Sequence, residues 1–207
     1  MNEDLLLLKY WAFCEEHKPI KLYYNYQMFE NSVRKREQMN VELCLAESSE
    51  IIKNLFQYYI YDMSEYTKFS PNPDGTYKVD ESNIQINTYW SDSDHYPYLI
   101  MVDNEIAGFT LLRKFPFNKE YYDVGQFFVL RKFKNLGVGR EAFRLSVTTH
   151  PGKWITRVLP NNDGAYRFWA KVISEISVNL PEVKKELYMG KEMNCFYYNV
   201  NGEMIQK

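Results

Sequence analysis

The sequence lacks the features that mark several large classes of protein. Its longest nearly apolar run, Leu5 to Cys14, is interrupted by Lys9, and it falls short of the roughly 20 residues that a helix needs to cross a membrane. Acidic residues, Glu3 and Asp4, stand where a secretory signal would carry positive charge. We therefore expect no membrane partner and a cytoplasmic location.

Cysteine is scarce as well. The three residues Cys14, Cys44 and Cys195 are odd in number and far apart, which fits neither a disulfide framework nor a C-x-x-C metal site. We expect them to be buried free thiols, and we expect no metal site. The P-loop pattern G-x-x-x-x-G-K-[S/T] is also absent, which argues against a P-loop NTPase.

What the sequence does have is the composition of a folded protein, with 45% hydrophobic and 25% charged residues. Its charge is uneven. Residues 62–105 contain nine acidic and two basic residues, whereas residues 106–207 contain sixteen basic and nine acidic ones. An anionic ligand would suit the C-terminal part and a cationic one the middle. The isoelectric point near 6.0 disfavours nucleic acid as a partner.

The pattern of apolar and polar residues changes near residue 40, which predicts a boundary there. Residues 1–40 are predicted to form a helical N-terminal extension, and residues 41–207 the main domain. The alternation of Val41, Leu43 and Leu45 predicts a strand, and Ser48 or Ser49 can cap a helix that runs to about Tyr66.

Further elements follow in order along the main domain. A loop over residues 67–78 precedes a helix from Asp80 to about Thr88. The runs Tyr98–Val102 and Ile106–Phe115 predict a hairpin, because Asp103-Asn104 tolerates the positive φ of a tight turn. The apolar run Val124–Leu130 predicts a strand that is buried on both faces.

A glycine-bearing turn comes next. We expect the strand to continue through residues 131–135 into the segment 136–140, and a helix to cover Glu141–Thr149. Gly137 and Gly139 leave backbone N–H groups accessible to an anion, and the start of a helix adds partial positive charge. Lys132, Lys134 and Arg140 flank the turn and suit a pyrophosphate.

Three interpretations of this turn are open. It can be a structural turn with no ligand. It can be a dinucleotide fingerprint, because residues 137–142 satisfy G-x-G-x-x-G/A and Asp163 lies 24 residues after Gly139. A dinucleotide-binding domain needs further βα units, however, and only 65 residues remain after Ala142. The third interpretation is an acyl-CoA site.

The residues that favour the third interpretation form two separated motifs. The run Lys134 to Gly139 resembles the acetyl-CoA loop R/Q-x-x-G-x-G/A of the GNAT N-acetyltransferase superfamily, with Lys in the first position. Asn162, Ala165 and Phe168 follow the strand Trp154–Val158 and resemble the N-x-x-A-x-x-L/F-Y signature of the same family. The resemblance covers about residues 41–200. The run Phe127 to Lys132, together with Phe168 and Trp169, looks like that of a bacterial subgroup of predicted acetyltransferases.

The resemblance implies an α/β (α+β) fold with a mixed, mostly antiparallel splayed sheet flanked by helices, and acetyl-CoA as cosubstrate. In such a site the pyrophosphate lies on the glycine turn, Val129 offers its N–H to the thioester carbonyl, and Asn162 faces pantetheine or a water. The implied cofactor-binding residues are Val129, Lys134, Asn135, Leu136, Gly137, Val138, Gly139, Arg140, Asn162 and Trp169.

Two catalytic positions depart from the family pattern. Trp169 replaces the tyrosine that usually protonates the departing thiolate, and Tyr166 is the substitute candidate. Gln126 replaces a frequent carboxylate, so we expect it to hold a water that relays the amine proton to Asp123, Glu120 or solvent. Lone histidines, His95 and His150, are weaker alternatives.

The expected function is transfer of an acetyl group to a primary amine of a small molecule or peptide. The acidic stretch from Asp62 to Glu105 favours a cationic acceptor, with Tyr66, Tyr89 and Trp90 as wall residues. A homodimer is one possible assembly. The alternatives are a non-catalytic acetyl-CoA sensor and an interaction domain without a ligand.

Overall fold

The computed structural model describes residues 39–77 and 86–202. The helical extension predicted for residues 1–40 lies outside the described residues except for its last two, and residues 80–85 of the helix predicted from Asp80 also lie outside them. The described end of that segment is a turn that leads into a short helix, Thr88–Ser91. The described residues from Asn40 onward belong to one compact unit.

Seven strands form one mixed sheet in the order β1-β2-β3-β4-β5-β7-β6. Among these described strands only the β4–β5 pair is parallel, so the predicted class of a mixed, mostly antiparallel sheet is confirmed. The strands are β1 (Val41–Leu45), β2 (His95–Val102), β3 (Glu105–Lys114), β4 (Tyr121–Val129), β5 (Gly152–Val158), β6 (Glu182–Tyr188) and β7 (Lys191–Val200).

Helices cover both faces of this sheet. Those in the described residues are α1 (Ser49–Thr67), α2 (Thr88–Ser91), α3 (Val138–Thr149) and α4 (Asp163–Ile176). On one face, α3 and α4 bury a cluster that includes Phe143, Trp154 and Ile173. On the other face, α1 buries a second cluster around Phe56 and Phe109. These two apolar layers hold β3, β4 and β5 at the centre of the fold.

The predicted first strand, first helix and central hairpin are confirmed. The hairpin joins β2 to β3 at the pair Val102 and Glu105. Asp103 and Asn104 occupy its turn with φ values of 51° and 67°. Both values are in the left-handed region, which a two-residue hairpin turn requires and which Asp and Asn tolerate better than most residues.

The prediction for the segment after β4 was wrong. The strand ends at Val129, a 3₁₀ turn covers Arg131–Phe133, and α3 begins at Val138 rather than at Glu141. Asn135 has a φ of 64°, so the segment cannot continue as extended strand. The apolar pattern of β4 therefore predicts which of its residues pack in the core, but it does not predict where the strand ends.

The environment of β4 also differs from the prediction that the strand is buried on both faces. Residues 125–127 are only half-buried. The parallel pairing with β5 covers only Tyr121 to Val124, opposite Lys153 to Thr156. Beyond Val124 the two strands are no longer paired, and we call the space between them the β4–β5 gap.

A β-bulge marks the point where this gap begins. On β3, Leu112 pairs with Val124 but Leu111 pairs with Gln126, so Gly125 is the extra residue. An added Cβ at Gly125 would collide with the Tyr89 hydroxyl and would lie 3.0 Å from the Leu111 carbonyl oxygen. Glycine is therefore required by the close approach of neighbouring atoms.

The cysteine prediction is correct in one of its two described positions. Cys195 is buried in β7, whereas Cys44 is exposed. Cys44 lies on the edge strand β1, where one of the two strand faces remains open to solvent. Cys14 lies outside the described residues.

Candidate active site

The β4–β5 gap presents a backbone donor from β4. Leu130 donates its N–H to the Ala107 carbonyl oxygen on β3 at 2.8 Å. Because alternate residues of a strand direct their N–H groups to opposite sides, Val129 directs its own away from β3 and toward the gap. This is the donor that the sequence predicted for a thioester carbonyl oxygen.

The glycine turn lies at the same end of β4. Gly137, with a φ of 87°, is the residue before the first turn of α3. The bond from Glu141 N–H to the Gly137 carbonyl oxygen begins the helix. The N–H groups of Val138, Gly139 and Arg140 precede this bond, as at the start of any α-helix, and the helix dipole adds partial positive charge to them.

The two sequence motifs meet in space at Gly139. A Cβ added at Gly139 would lie 3.4 Å from Cζ of Phe168 on α4 and 3.7 Å from Cγ2 of Val129. The Phe168 ring in turn lies 6.3 Å from that of Phe127, measured between centroids. Strand β4, the turn and α4 thus form one contiguous wall of the gap.

The basic residues that flank the turn are held in ion pairs. Lys132 contacts Glu105 at 2.6 Å, Lys134 contacts Asp62 at 2.7 Å, and Arg140 contacts Glu175 at 2.6 Å. Their charges are near the turn as predicted, but each is shared with a carboxylate. Asn135 and Leu136 lie in the turn itself, exposed and half-buried respectively.

On α4, Asn162 is the N-terminal capping residue. Its Oδ1 accepts the Ala165 N–H at 2.9 Å, which is the usual function of asparagine at that position. This bond leaves the Nδ2 group as the part of the side chain that can serve a ligand. The signature asparagine therefore has a structural task as well as its predicted ligand contact.

Trp169 is buried beneath the wall of the gap, with 8% of its surface exposed. Its ring packs edge-on against Phe127, Phe143 and Phe168, with centroids 5.0 to 5.3 Å apart. Such a position supports the wall by packing. Trp169 lies next to the residues that line the predicted cofactor site.

Tyr166 lies on α4 and is partly exposed. Its ring packs against Phe196 of β7, with centroids 5.2 Å apart. Strand β7 adjoins β5 on the side away from β4. The ring contact described for Tyr166 is therefore with β7 and not with β4.

At the base of the gap, Asp123 is fully buried between two arginines. Arg157 Nη2 donates to both carboxylate oxygens of Asp123 at 2.8 Å, and Arg113 Nε donates to Oδ2 at 2.9 Å. The guanidinium carbon of Arg157 lies 3.7 Å from the centroid of the Tyr188 ring, and the Tyr188 hydroxyl accepts from Arg113. This network connects β3, β4, β5 and the end of β6.

Gln126 lies one residue beyond the bulge and is half-buried. Because Gly125 shifts the alternation, Gln126 shares the face of Phe128, which packs in the cluster beneath α1. Gln126 is therefore on the α1 face of the gap. Glu120, the other predicted proton acceptor, is exposed and paired with Lys153 at 2.8 Å.

Three residues near the gap, Arg113, Arg157 and Tyr59, were not predicted from the sequence. Arg157 looked like an ordinary charged residue near the end of a strand, yet its side chain is only 6% exposed. Tyr59 on α1 packs against Phe109 and Phe128, and burial raises the pKa of Tyr59 to about 12, although Arg157 opposes this effect. The only indication of Arg157 in the sequence was its position as a charged residue within the mostly apolar strand β5.

The predicted acceptor-wall residues are dispersed. Tyr66 ends α1, and its carbonyl oxygen accepts from Asn161 Nδ2 at 3.1 Å. Tyr89 is buried beneath Gly125. Trp90 donates its indole N–H to the Ala46 carbonyl oxygen at 2.7 Å and lines a separate groove at the β1 edge.

His95 and His150, the two histidines considered as alternatives, contact other parts of the fold. His95 lines the groove at the β1 edge. His150 follows α3 and packs against Tyr96 and Tyr122, and its Nε2 lies 3.0 Å from the Tyr98 hydroxyl. Burial lowers the pKa of both histidines.

The charge separation along the sequence is partly cancelled in the fold. Carboxylates of the acidic stretch pair with basic residues from later in the chain. These pairs are Asp62 with Arg131 and Lys134, Asp94 with Lys119, and Glu105 with Lys132. Three of the described acids of residues 62–105 are therefore paired with cations and do not stand as free negative charges.

A metal site and a membrane-spanning helix are not found in the described residues. No group of three His, Cys, Asp or Glu side chains within residues 39–77 and 86–202 could hold a metal ion. Among the helices described for this chain, none is both long and apolar enough to span a membrane.

The fold and the site define an α+β protein whose sheet opens at the parallel β4–β5 pair, beside a glycine turn. The model of the acetyltransferase (GNAT) family matches residues 58–173, more than half of the chain, and the chain belongs to this family. Comparison with curated proteins gave no match.

Two solved structures with TM-scores above 0.5 share the fold, and a third, with a lower score, is also similar. An acetyltransferase from Thermus thermophilus is 12% identical, with a TM-score of 0.58 over 78% of this chain and 97% of its own. A GNAT-family acetyltransferase from Staphylococcus aureus is 12% identical, with a TM-score of 0.54 over 78% and 100%. A GNAT-family acetyltransferase from Elizabethkingia anophelis, solved with acetyl-CoA bound, is 18% identical, with a TM-score of 0.46 over 79% and 99%.

Proposed function

We propose that the protein transfers an acetyl group from acetyl-CoA to a primary amine. The single observation that carries this proposal is the convergence of Val129, Gly139 and Phe168 on the β4–β5 gap. A free strand N–H and the start of a helix lie at one end of that gap. These are the donors that a thioester carbonyl and a pyrophosphate need.

In this proposal the pyrophosphate lies on the N–H groups of residues 136–140. The helix dipole stabilises the phosphate charge, and Lys134 and Arg140 add positive charge from the edge of the turn. The pantetheine arm then follows β4 along the gap, where the missing β5 neighbour leaves strand N–H groups for its amides. Phe168 closes the side of the gap next to Gly139.

Catalysis then depends on position and on stabilisation of developing charge. The Val129 N–H donates to the thioester oxygen, which becomes an oxyanion when the neutral amine attacks the carbonyl carbon. The C–N bond forms, the C–S bond breaks, and CoA leaves as thiolate. A thiol with a pKa of about 8.5 leaves as thiolate at neutral pH at a cost of about 2 kcal/mol, so solvent can supply its proton.

The amine must lose a proton during the reaction, and we assign its first acceptor to a water held by Gln126. Gln126 is on the α1 face of the gap, and its amide can orient a water without itself taking a proton. Asp123 is less suited to accept this proton than the sequence suggested, because both of its oxygens already accept bonds from guanidinium groups. We assign Asp123 to the positioning of β4 against β5.

The acceptor class is proposed as a cationic amine of a small molecule or peptide. Tyr66 ends α1 near Asn161 at the end of β5. Burial raises the pKa of Tyr66, and the negative charges of Glu65, Asp62 and Asp163 raise it further. A protonated amine that approaches this end of the gap would be attracted by Glu65 and Asp163, whereas Asp62 is already paired with Arg131 and Lys134.

The test is a calorimetric titration with acetyl-CoA, with NADH as the competing dinucleotide. Micromolar binding of acetyl-CoA but not of NADH is expected. Gly139→Glu places a carboxylate beside Val129 and Phe168 and is expected to abolish binding. Gly139→Gln is the matched control of nearly equal volume, and a smaller loss for Gln than for Glu assigns the difference to charge.

Amine-dependent release of free CoA thiol then tests the enzyme against the sensor. Thiol release with polyamines, amino sugars or peptides supports the transferase. Binding of acetyl-CoA without release for any amine class would favour a non-catalytic sensor. No binding of acetyl-CoA by the wild-type chain would reject the proposed function.

A further inference from the structure

We infer that Asp62 is a positioning residue that ties the acceptor-side helix α1 to the glycine turn and keeps the turn in its ligand-binding shape. This inference rests on the proposed function, because the ligand it concerns is acetyl-CoA. Asp62 belongs to α1, whereas its two partners, Arg131 and Lys134, lie between β4 and α3.

The contacts of Asp62 use both carboxylate oxygens. Oδ1 accepts from Arg131 Nη2 at 2.9 Å and from Arg131 Nε at 3.2 Å. Oδ2 accepts from Lys134 Nζ at 2.7 Å. The Asp62 side chain is 19% exposed, so it is more shielded from solvent than the two cations that it holds. We call this arrangement the Asp62 clasp.

The clasp fixes the residue that precedes the least regular backbone of the turn. Lys134 is followed directly by Asn135 in the left-handed region, and Gly137 adopts the same region two residues later. Asn tolerates that region better than most non-glycine residues. Two left-handed residues so close together define the shape of the turn, and a restraint on Lys134 helps to keep that shape. The clasp provides such a restraint from outside the turn.

Helix α1 is also tied to the opposite side of the gap. Asn161, which follows β5, donates its amide to the Tyr66 carbonyl oxygen at 3.1 Å. Asp62 and Tyr66 are one helical turn apart and therefore lie on the same side of α1. One face of α1 thus contacts the segment after β4 and the segment after β5, and it spans the end of the gap.

The direction in which the Kd for acetyl-CoA changes when Asp62 is neutralised distinguishes a positioning role from a purely electrostatic one. Asp62 reduces the positive charge near the turn, so on charge alone its neutralisation would strengthen the binding of a polyanion such as acetyl-CoA. If Asp62 instead holds the turn in shape, its neutralisation weakens binding. The two roles predict opposite changes in Kd.

The test compares Asp62→Asn with the wild-type chain. The expected result is a Kd for acetyl-CoA that rises on the order of tenfold, with KM for acetyl-CoA rising in parallel and kcat at saturating acetyl-CoA nearly unchanged. The matched control is Glu105→Gln, which removes the partner of Lys132 but no contact with α1. Its Kd is expected to change by less than about twofold.

A second measurement needs no ligand. Amide hydrogen exchange over residues 134–140 of the ligand-free protein is expected to be faster in Asp62→Asn than in the wild type and in Glu105→Gln. Arg131→Gln, which removes one of the two partners of the clasp, is expected to speed exchange over the same residues. Because loss of a positive charge weakens polyanion binding in either role, its exchange result and not its Kd keeps the test decisive if Asp62→Asn fails to fold.

Weaker acetyl-CoA binding together with faster exchange supports the inference. Equal or tighter binding by Asp62→Asn, or unchanged exchange over residues 134–140, overturns it. Absence of acetyl-CoA binding in the wild type would instead reject the proposed function, and the exchange measurement would still decide whether Asp62 holds the turn.

Discussion

Arg157 donates to both carboxylate oxygens of Asp123 at 2.8 Å, and the two residues adjoin the last parallel pair of β4 and β5, Val124 and Thr156. Asp123 is fully buried and Arg157 nearly so. The ion pair joins the two strands across their last paired residues and so fixes the base of the gap.

Asp123→Asn is expected to destabilise the fold. The substitution leaves the positive charges of Arg113 and Arg157 buried without their shared carboxylate, and loss of one partner of a buried pair typically costs about 3–5 kcal/mol. The measurement is the free energy of unfolding in urea, followed by circular dichroism. Glu120→Gln, which removes an exposed partner of Lys153 just before the same strand, is the control and is expected to destabilise the fold far less. Equal stability of the two variants would contradict a structural role for Asp123.

Gly125→Ala tests the bulge at the start of the gap. The added methyl group would meet the Tyr89 hydroxyl and the Leu111 carbonyl oxygen, and overpacking of this kind costs about 1–3 kcal/mol. Tyr89→Phe in the same chain removes one of the two obstacles and is expected to restore part of the loss. The check is a double-mutant cycle on unfolding free energies, and strictly additive effects would show that Tyr89 does not fill the space at Gly125.

The sequence predicted the regular part of the fold because that part is encoded locally. Asp103-Asn104 specifies its hairpin turn, and the alternation of Val41, Leu43 and Leu45 specifies an edge strand. The limit of β4 was missed because the apolar run continues through Leu130, whereas the strand ends at Val129, where its pairing with β3 stops and the 3₁₀ turn Arg131–Phe133 begins. That limit is a tertiary property.

The candidate site was predictable to the same degree. Gly137 and Gly139 were identifiable because their function depends on backbone geometry that only a short motif determines. The contacts of Asp62 and Arg157 were not, because each joins residues more than 30 positions apart and no local pattern encodes them. The contact of Tyr166 with Phe196 has the same origin, since it depends on which strand α4 covers.

The stability of the fold is expected to fall as the pH drops below neutrality. Burial, and then the charge of Lys114, lowers the pKa of His150, and burial lowers that of His95. The unfolded chain therefore binds protons first, near its ordinary pKa of about 6.5, so stability is complete above that pH and declines below it. Urea unfolding from about pH 7.5 to 5.5 measures this. His150→Gln is expected to flatten the profile, and an unchanged slope would exclude His150 as its source.

The stability of the fold at acid pH is expected to depend on the Asp62 clasp. Partial burial raises the pKa of Asp62, but the hydrogen bonds from Lys134 and Arg131 outweigh it and leave that pKa below its ordinary value. The stability from this group is therefore present above about pH 3.9 and is lost as the pH falls through the lower pKa of the folded state. Asp62→Asn is expected to remove this loss but not the one near neutrality, and urea unfolding at acid pH measures it. A change near neutrality instead would contradict the assignment.

Gln126 provides the test of how the amine loses its proton. If its amide orients the water that first accepts that proton, Gln126→Ala is expected to lower kcat by about tenfold or more and to leave the Kd for acetyl-CoA unchanged, because Gln126 lies on the α1 face of the gap and not in the glycine turn. Gln126→Glu places a proton acceptor at the same position. It is expected to retain turnover with a new dependence on pH in the acidic range, where the added carboxyl titrates. Initial rates of thiol release across pH measure both variants, and an unchanged rate and pH profile for Gln126→Ala would remove Gln126 from the mechanism.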